Sequence, residues 1–249
     1  MKPSGNTILI TGGGSGIGRE LALRFHALGN KVIVAGRRRE ALEETIGGRE
    51  GMFAVGLDVA DPASIGAAAR ALVADYPHLN ILINNAGIMA SEDLSASRDL
   101  GIAEATVTTN LLGPIRLTNA LIDHLKTRPD AAIINLSSGL ATVPLVSAPT
   151  YSATKAAIHS YTLSLREQLK GQVEVIELIP PGVQTDLTPG QSTREGYMPL
   201  DDYIDEVMAL FAIQPTPPEI AVERVKFLRN AEAEGRFAQT FAALNGAHH

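Results

Sequence analysis

Thr11-Gly12-Gly13-Gly14-Ser15-Gly16-Ile17-Gly18 decides how the rest of the chain reads. Five of the seven residues from Gly12 to Gly18 are glycine, set between an apolar run at 7–10 and a segment rich in Leu and Ala. Glycine at this density lets a backbone approach a phosphate closely, and the amides at a following helix start present the positive end of the helix dipole. The turn therefore predicts a pyrophosphate on a strand-turn-helix unit, in contact with Gly12, Gly14, Ser15, Gly16, Ile17 and Gly18. Its spacing, Gly12-x-x-x-Gly16-x-Gly18, is not the common Gly-x-Gly-x-x-Gly. Arg19 and Glu20 stand where a P-loop needs its Lys and Ser/Thr, which argues against a kinase or ATPase.

Outward from this turn, apolar runs of strand length recur at 7–10, 31–35, 52–57, 80–83, 131–136 and 173–178, each followed by helical periodicity. Continuous rather than alternating apolar runs suit strands covered on both faces. The pattern predicts an α/β fold, one domain over residues 1–249 with a Rossmann-like, doubly wound parallel sheet of six strands or a degenerate seventh. Asp61-Pro62 is read as the start of a helix over 63–74, and Thr216-Pro217-Pro218-Glu219 as the start of another running to about Asn230. Beyond Arg224 the tail reads as helix. The 249 residues contain no Cys, which excludes disulfides and thiolate chemistry and fits a reducing cytoplasm. A net charge of −6, no Trp and only 4% aromatic residues argue against nucleic-acid binding. With no apolar run of membrane-spanning length, a cytoplasmic protein without a membrane partner is expected, and no residues are assigned to a metal.

The second strand ends Val34-Ala35-Gly36-Arg37-Arg38-Arg39, with no acidic residue where an NAD-binding chain holds its ribose hydroxyls. A carboxylate would repel a 2′-phosphate, whereas guanidinium offers a permanently charged fork, so Arg37 with Arg38 predicts NADP(H). Arg39 is read as a solvated helix start. Asp58, followed by Val59, has two readings: it holds the adenine amino group or caps the next helix. Further on, Tyr151-Ser152-Ala153-Thr154-Lys155 puts Tyr151 and Lys155 on one helix face. An ammonium about 5 Å from a phenolate stabilises it by roughly 3 kcal/mol at an effective dielectric near 20, which would lower the tyrosine pKa by about two units. Ser138 closes the fifth strand, where an open α/β sheet presents ligand-facing groups, and it can polarise a carbonyl; Ser137 is read as pointing away.

Together, Thr11-Gly12-x-x-x-Gly16-x-Gly18, Asn84-Asn85-Ala86-Gly87, Asn110, Ser138, Tyr151-x-x-x-Lys155 and Pro181-Gly182 with Thr185 resemble the short-chain dehydrogenase/reductase family over about residues 5–187. Pro149-Thr150-Tyr151 and Met198-Pro199-Leu200-Asp201-Asp202 are similar, more weakly, to its bacterial DltE-like subgroup. The resemblance implies hydride transfer between NADP(H), with NAD(H) left open, and a small carbonyl or alcohol. It implies that Tyr151 is the acid/base, that Ser138 orients and polarises the reacting oxygen, and that Lys155 binds the nicotinamide ribose while lowering the tyrosine pKa. Asn110 would anchor a relay water and Thr185 the carboxamide. Asn85, Ala86 and Gly87 would form the cofactor floor, and Pro181, Gly182 and Val183 would lie at the nicotinamide. A mobile lid is expected at about 186–212, with Leu187, Tyr197, Met198, Leu200 and Tyr203 offering a mixed apolar and hydroxyl pocket. The tail departs from the family by lacking a Val-Asp-Gly-Gly-like final strand, so a homodimer through 105–125 and Ala156, Ala157, Ile158, Tyr161, Leu165 and Leu169 is expected instead of a tetramer. Two readings compete: an NADP(H)-binding redox sensor without turnover, and an NAD-dependent sugar or polyol dehydrogenase. Asn110, Ser138, Tyr151 and Lys155 together favour catalysis, and NADP(H) favours reduction.

Overall fold

In a computed structural model, which describes residues 1–246, the six apolar runs are strands of one parallel sheet. They are β1 (Thr7–Thr11), β2 (Lys31–Gly36), β3 (Met52–Gly56), β4 (Leu79–Asn84), β5 (Ala132–Leu136) and β6 (Glu174–Ile179). A seventh, β7 (Glu219–Ala221), completes the order β3-β2-β1-β4-β5-β6-β7. Between them run α1 (Gly16–Ala27), α2 (Arg39–Ile46), α3 (Pro62–Asp75), α4 (Gly101–Val107), α5 (Gly113–Lys126), α6 (Pro149–Gln168) and α7 (Leu200–Phe211). The short α8 (Lys226–Arg229) and α9 (Phe237–Asn245) follow β7.

The continuous apolar runs serve two cores at once. Ile8, Ile10, Val32, Val34, Ile81 and Ile83 point to one face, where α1 and α7 meet with Phe25 edge-on to Phe211 at 5.5 Å. Leu9, Ile33, Leu82 and Ile133 point to the other, against Ile65 and Leu72 of α3 and Leu117, Leu121 and Leu125 of α5. Each such side chain stabilises the fold by about 1.5–3 kcal/mol on burial. A polar thread crosses this second layer: Asn84 Nδ2 donates to Asn135 Oδ1 at 2.9 Å and to Thr118 Oγ1 at 3.2 Å, and Asn135 Nδ2 donates to Thr162 Oγ1 at 3.0 Å. Every buried amide in it has a partner, so its desolvation is compensated and β4, β5, α5 and α6 are held in one register.

One expectation for the tail is corrected. Glu219 begins a strand, not a helix: Glu219, Ile220 and Ala221 pair in parallel with Glu177, Leu178 and Ile179. Three residues are too few to display an alternation, and the preceding prolines imitate a helix start. Helix begins only at Glu223, as a 3-10 turn leading into α8. The new edge is fixed by charge, since Arg229 grips Glu219 with Nε and Nη2 at 3.1 and 2.7 Å, and beside it His159 Nδ1 is within hydrogen-bonding distance of Glu177 at 2.7 Å. His159, Glu177 and Glu219 lie close enough to bind a metal in principle, within 4.8 Å of one another. Here His159 hydrogen-bonds Glu177 and Arg229 holds Glu219, so the cluster is engaged in closing the sheet edge.

Candidate active site

A cleft of about 530 Å³ opens over the carboxyl ends of the strands, at the place where the strand order reverses between β1 and β4. At its β1 end the glycine turn has two backbone requirements. Gly12 and Gly16 have φ of 68° and 51°, a region that favours glycine. Gly13 and Gly18 serve packing instead: a Cβ on Gly13 would lie 2.7 Å from Val34, and one on Gly18 would lie 2.4 Å from Asn85 Nδ2. Gly18 thus sits beneath the turn, whereas Gly12, Gly14, Ser15, Gly16 and Ile17 face the cleft. Asn85 clamps the turn by donating to Thr11 O at 2.8 Å, while Thr11 Oγ1 accepts from the amides of Asn85 and Ala86 at 3.0 Å.

Arg37 and Arg38 line the same end, with Arg38 Nη2 donating to Ser15 Oγ at 3.3 Å. Arg39 is turned away and paired with Glu43 at 3.0 Å. Asp58 and Val59 line the cleft. The cap of α3 is Asp61, which accepts from Ala63 N at 2.9 Å and Ser64 N at 3.1 Å; Asp58 instead accepts from Ala60 N at 2.9 Å in its own turn.

At the other end Ser138, Tyr151 and Lys155 converge, with Pro181, Val183 and Thr185 opposite and Ala86 and Gly87 between the two ends. Tyr151 and Lys155 are 7% and 4% exposed, so desolvation governs both. Burial pushes the Tyr151 phenol up to about 12; the neighbouring Ser138 hydroxyl opposes this, and Tyr197 adds to it. Burial likewise lowers Lys155 to about 8. The expected two-unit depression of Tyr151 is therefore not found. Lys155 Nζ lies 5.5 Å from the tyrosine ring centroid but donates to Leu136 O at 2.9 Å, and withdrawal from water outweighs the ammonium's attraction.

Residues 6–196 match the family model for short chain dehydrogenase. The chain belongs to that family. It is 39% identical over 235 residues to the uncharacterized oxidoreductase DltE of Bacillus subtilis (strain 168), covering 93% of each chain. Among solved structures, a short-chain dehydrogenase from Burkholderia cenocepacia J2315 in complex with NADP superposes with a TM-score of 0.81 at 25% identity, over 98% of both chains. A 3-ketoacyl-(acyl-carrier-protein) reductase from Brucella melitensis complexed with NADH does so with a TM-score of 0.77 at 27% identity, over 86% of this chain and 93% of that one.

Within this short-chain dehydrogenase, Asn110 does not line the cleft. It sits in a π-helical turn, Thr108–Leu112, between α4 and α5. Its amide accepts from Ile88 N and donates to Ile88 O, both at 2.8 Å, so it fixes the loop that carries Ile88 and Met89 into the cleft wall. Gly182 also lies off the wall, under the ring of Tyr197, where a Cβ would meet ring atoms at 3.1 Å. The stretch 186–212 divides in two. Leu187 and Gln191 line the cleft, and Met198 pairs with Val183 as an isolated bridge, whereas Tyr203, Ile204, Val207 and Phe211 of α7 belong to the core. Tyr203 is thus not a pocket residue, and its buried hydroxyl, like that of Ser137, has no hydrogen-bond partner. Ile88, Met89, Thr109 and Gln191 are wall residues that the motifs did not single out. No helix among the described residues is long and apolar enough to cross a membrane.

Proposed function

We propose that this short-chain dehydrogenase reduces a small aldehyde or ketone with NADPH, and that Tyr151 delivers the proton. One observation carries the reading: a single cleft has Ser138, Tyr151 and Lys155 at one end and Arg37 and Arg38, with no facing carboxylate from β2, at the other. The glycine turn fits the pyrophosphate of such a cofactor, because Gly14 and Gly16 leave backbone bare along the cleft wall. Asp58 would receive the adenine amino group, Arg37 and Arg38 the 2′-phosphate, and Pro181, Val183 and Thr185 the nicotinamide side. The bound cofactor supplies the hydride. Ser138 donates a hydrogen bond to the carbonyl oxygen, and the Tyr151 hydroxyl hands its proton to that oxygen. The Lys155 ammonium stabilises the phenolate left behind. With its pKa near 12, Tyr151 enters the reduction in the protonated form that the step needs.

The test is a panel of aldehydes, ketones, sugars and polyols, followed at the nicotinamide absorbance with NADPH and NADH in turn. Carbonyl reduction with NADPH is expected. Oxidation of polyols with NAD alone would overturn the assignment, and tight NADPH binding without turnover of any substrate would favour a redox sensor. Residues 186–199 act as the lid over this site, and hydrogen exchange there should slow when NADPH is added. The assembly expected is a homodimer through the outer faces of α5 and α6: Ile158 and Leu169 are already buried within the protomer, leaving Ala156, Ala157, Tyr161, Leu165 and the exposed Leu163 for a partner. Light scattering should return twice the 26.3 kDa chain mass.

A further inference from the structure

The catalytic helix does not cap itself. Ala148 stands at the N-cap of α6 with no side-chain oxygen, and Pro149 follows it. The amide of Thr150, immediately before Tyr151, is instead satisfied from another part of the chain. Glu92, on the loop between β4 and α4, accepts from Thr150 N at 3.1 Å and from the Thr150 hydroxyl at 2.9 Å. Arg98 Nη2 donates to the same carboxylate at 2.8 Å. The backbone amide of Glu92 donates to Ser147 O at 2.9 Å, so both main chain and side chain join this loop to the helix entry. The Glu92 side chain is only 4% exposed, although most of the surrounding loop faces solvent.

We propose that Glu92 is a positioning residue for Tyr151, a cap lent by a distant loop that sets the first turn of α6 and hence where the phenol points. An anion at a helix N-terminus satisfies orphan amides and complements the dipole. A generic cap could do this from any solvent-exposed residue. This one is enclosed, gripped by Arg98, and attached one residue from the proton donor. The same loop carries Ile88 and Met89 in the cleft wall and is held at its base by Asn110. The latch therefore fixes Tyr151 relative to the wall against which substrate must lie. Burial alone would resist ionisation of Glu92, but the hydrogen bonds from Arg98 and Thr150, with the Arg98 charge, hold its carboxyl below the usual range. It is thus an anion at neutral pH.

The inference rests on Tyr151 being the proton donor, and a double-variant cycle separates the two ideas. Steady-state rates for Glu92→Ala, Glu92→Gln, Tyr151→Phe and Glu92→Ala/Tyr151→Phe would be normalised to the number of NADPH sites titrated by fluorescence. Glu92→Ala is expected to lower kcat by about 10- to 100-fold, the scale of a small misplacement of a reacting group, with NADPH affinity unchanged. Glu92→Gln keeps an acceptor for Thr150 N but sets an amide donor against Arg98 Nη2, which shares Oε2 with the Thr150 hydroxyl, so kcat should recover only in part, to a value between Glu92→Ala and the parent. On the Tyr151→Phe background, removing Glu92 should cost nothing further, because the group it aims is gone. Should Glu92→Ala fold poorly, Thr150→Val deletes one of the two contacts and should lower kcat by about 3- to 10-fold with the same cofactor affinity. An unchanged kcat in Glu92→Ala or Thr150→Val, or a full additional loss on the Tyr151→Phe background, would overturn the positioning role. Retained activity in Tyr151→Phe alone would instead sink the proton-donor reading.

Discussion

The two ends of the cleft are built by opposite means. At the β1–β2 end the contacts are main chain and exposed charge: bare glycine backbone, and the guanidinium groups of Arg37 and Arg38 beside solvent. At the β5–β6 end Ser138, Tyr151 and Lys155 are buried, and loss of water governs the ionisation of Tyr151 and Lys155. Exposed charges act by attraction that salt can screen. Buried groups lose water, so small changes in packing or partners alter what they are able to do. One end can therefore be tuned for which ligand is held, and the other for what happens to it.

The sharpest way to break that contrast is Tyr151→Phe. It keeps the ring in its buried seat and removes the proton, and turnover should fall at least about a hundredfold while NADPH binding stays nearly intact. Arg37→Ala addresses the exposed end. It should weaken NADPH by roughly 10- to 150-fold, leave NADH nearly unchanged, and show a smaller penalty at high salt, in calorimetric titrations at two ionic strengths. The pH dependence of kcat for reduction sharpens the buried end. Lys155, lowered to about 8, is charged below that pH and neutral above it, so the rate should fall as pH rises through about 8. That limb should disappear in Lys155→Arg, whose charge does not titrate in this range. The smallest effect is expected from Asp61→Ala, which removes a cap from α3 without touching the cleft. About 1 kcal/mol of stability should be lost, with a lower melting temperature and unchanged kinetic constants.

The exposed end was also the more legible from sequence. Gly12 and Gly16 announce themselves because few other residues tolerate their backbone, and Arg37 announces itself by standing where an acidic residue would otherwise be. The buried end was legible in its identities but not in its energetics. Tyr151, Lys155 and Ser138 could be named from spacing, yet the carbonyl of Leu136 that receives Lys155 and the degree of burial are tertiary facts. Glu92 gave no local sign at all, since its partner Thr150 lies 58 residues away. The same holds for β7, where pairing with β6 overrides the helix start suggested by Pro217-Pro218, and for Tyr203, whose place in α7 suits a lid until the helix is seen docked on α1. The π-helical turn that holds Asn110 likewise has no signature in Thr108–Leu112.

The strand order has a consequence for biosynthesis. β1 pairs with β2 in one direction and β4 in the other, and Leu79, the β4 partner of Thr7, follows it by 72 residues. At about 5–20 residues per second, β1, once β2 is complete at Gly36, waits roughly 2 to 9 s beside it with its other edge open. Asn85, whose amide shapes the turn by gripping Thr11, is made later still. A nascent chain halted before Leu79 therefore carries the whole glycine motif and none of the clamp that gives it shape.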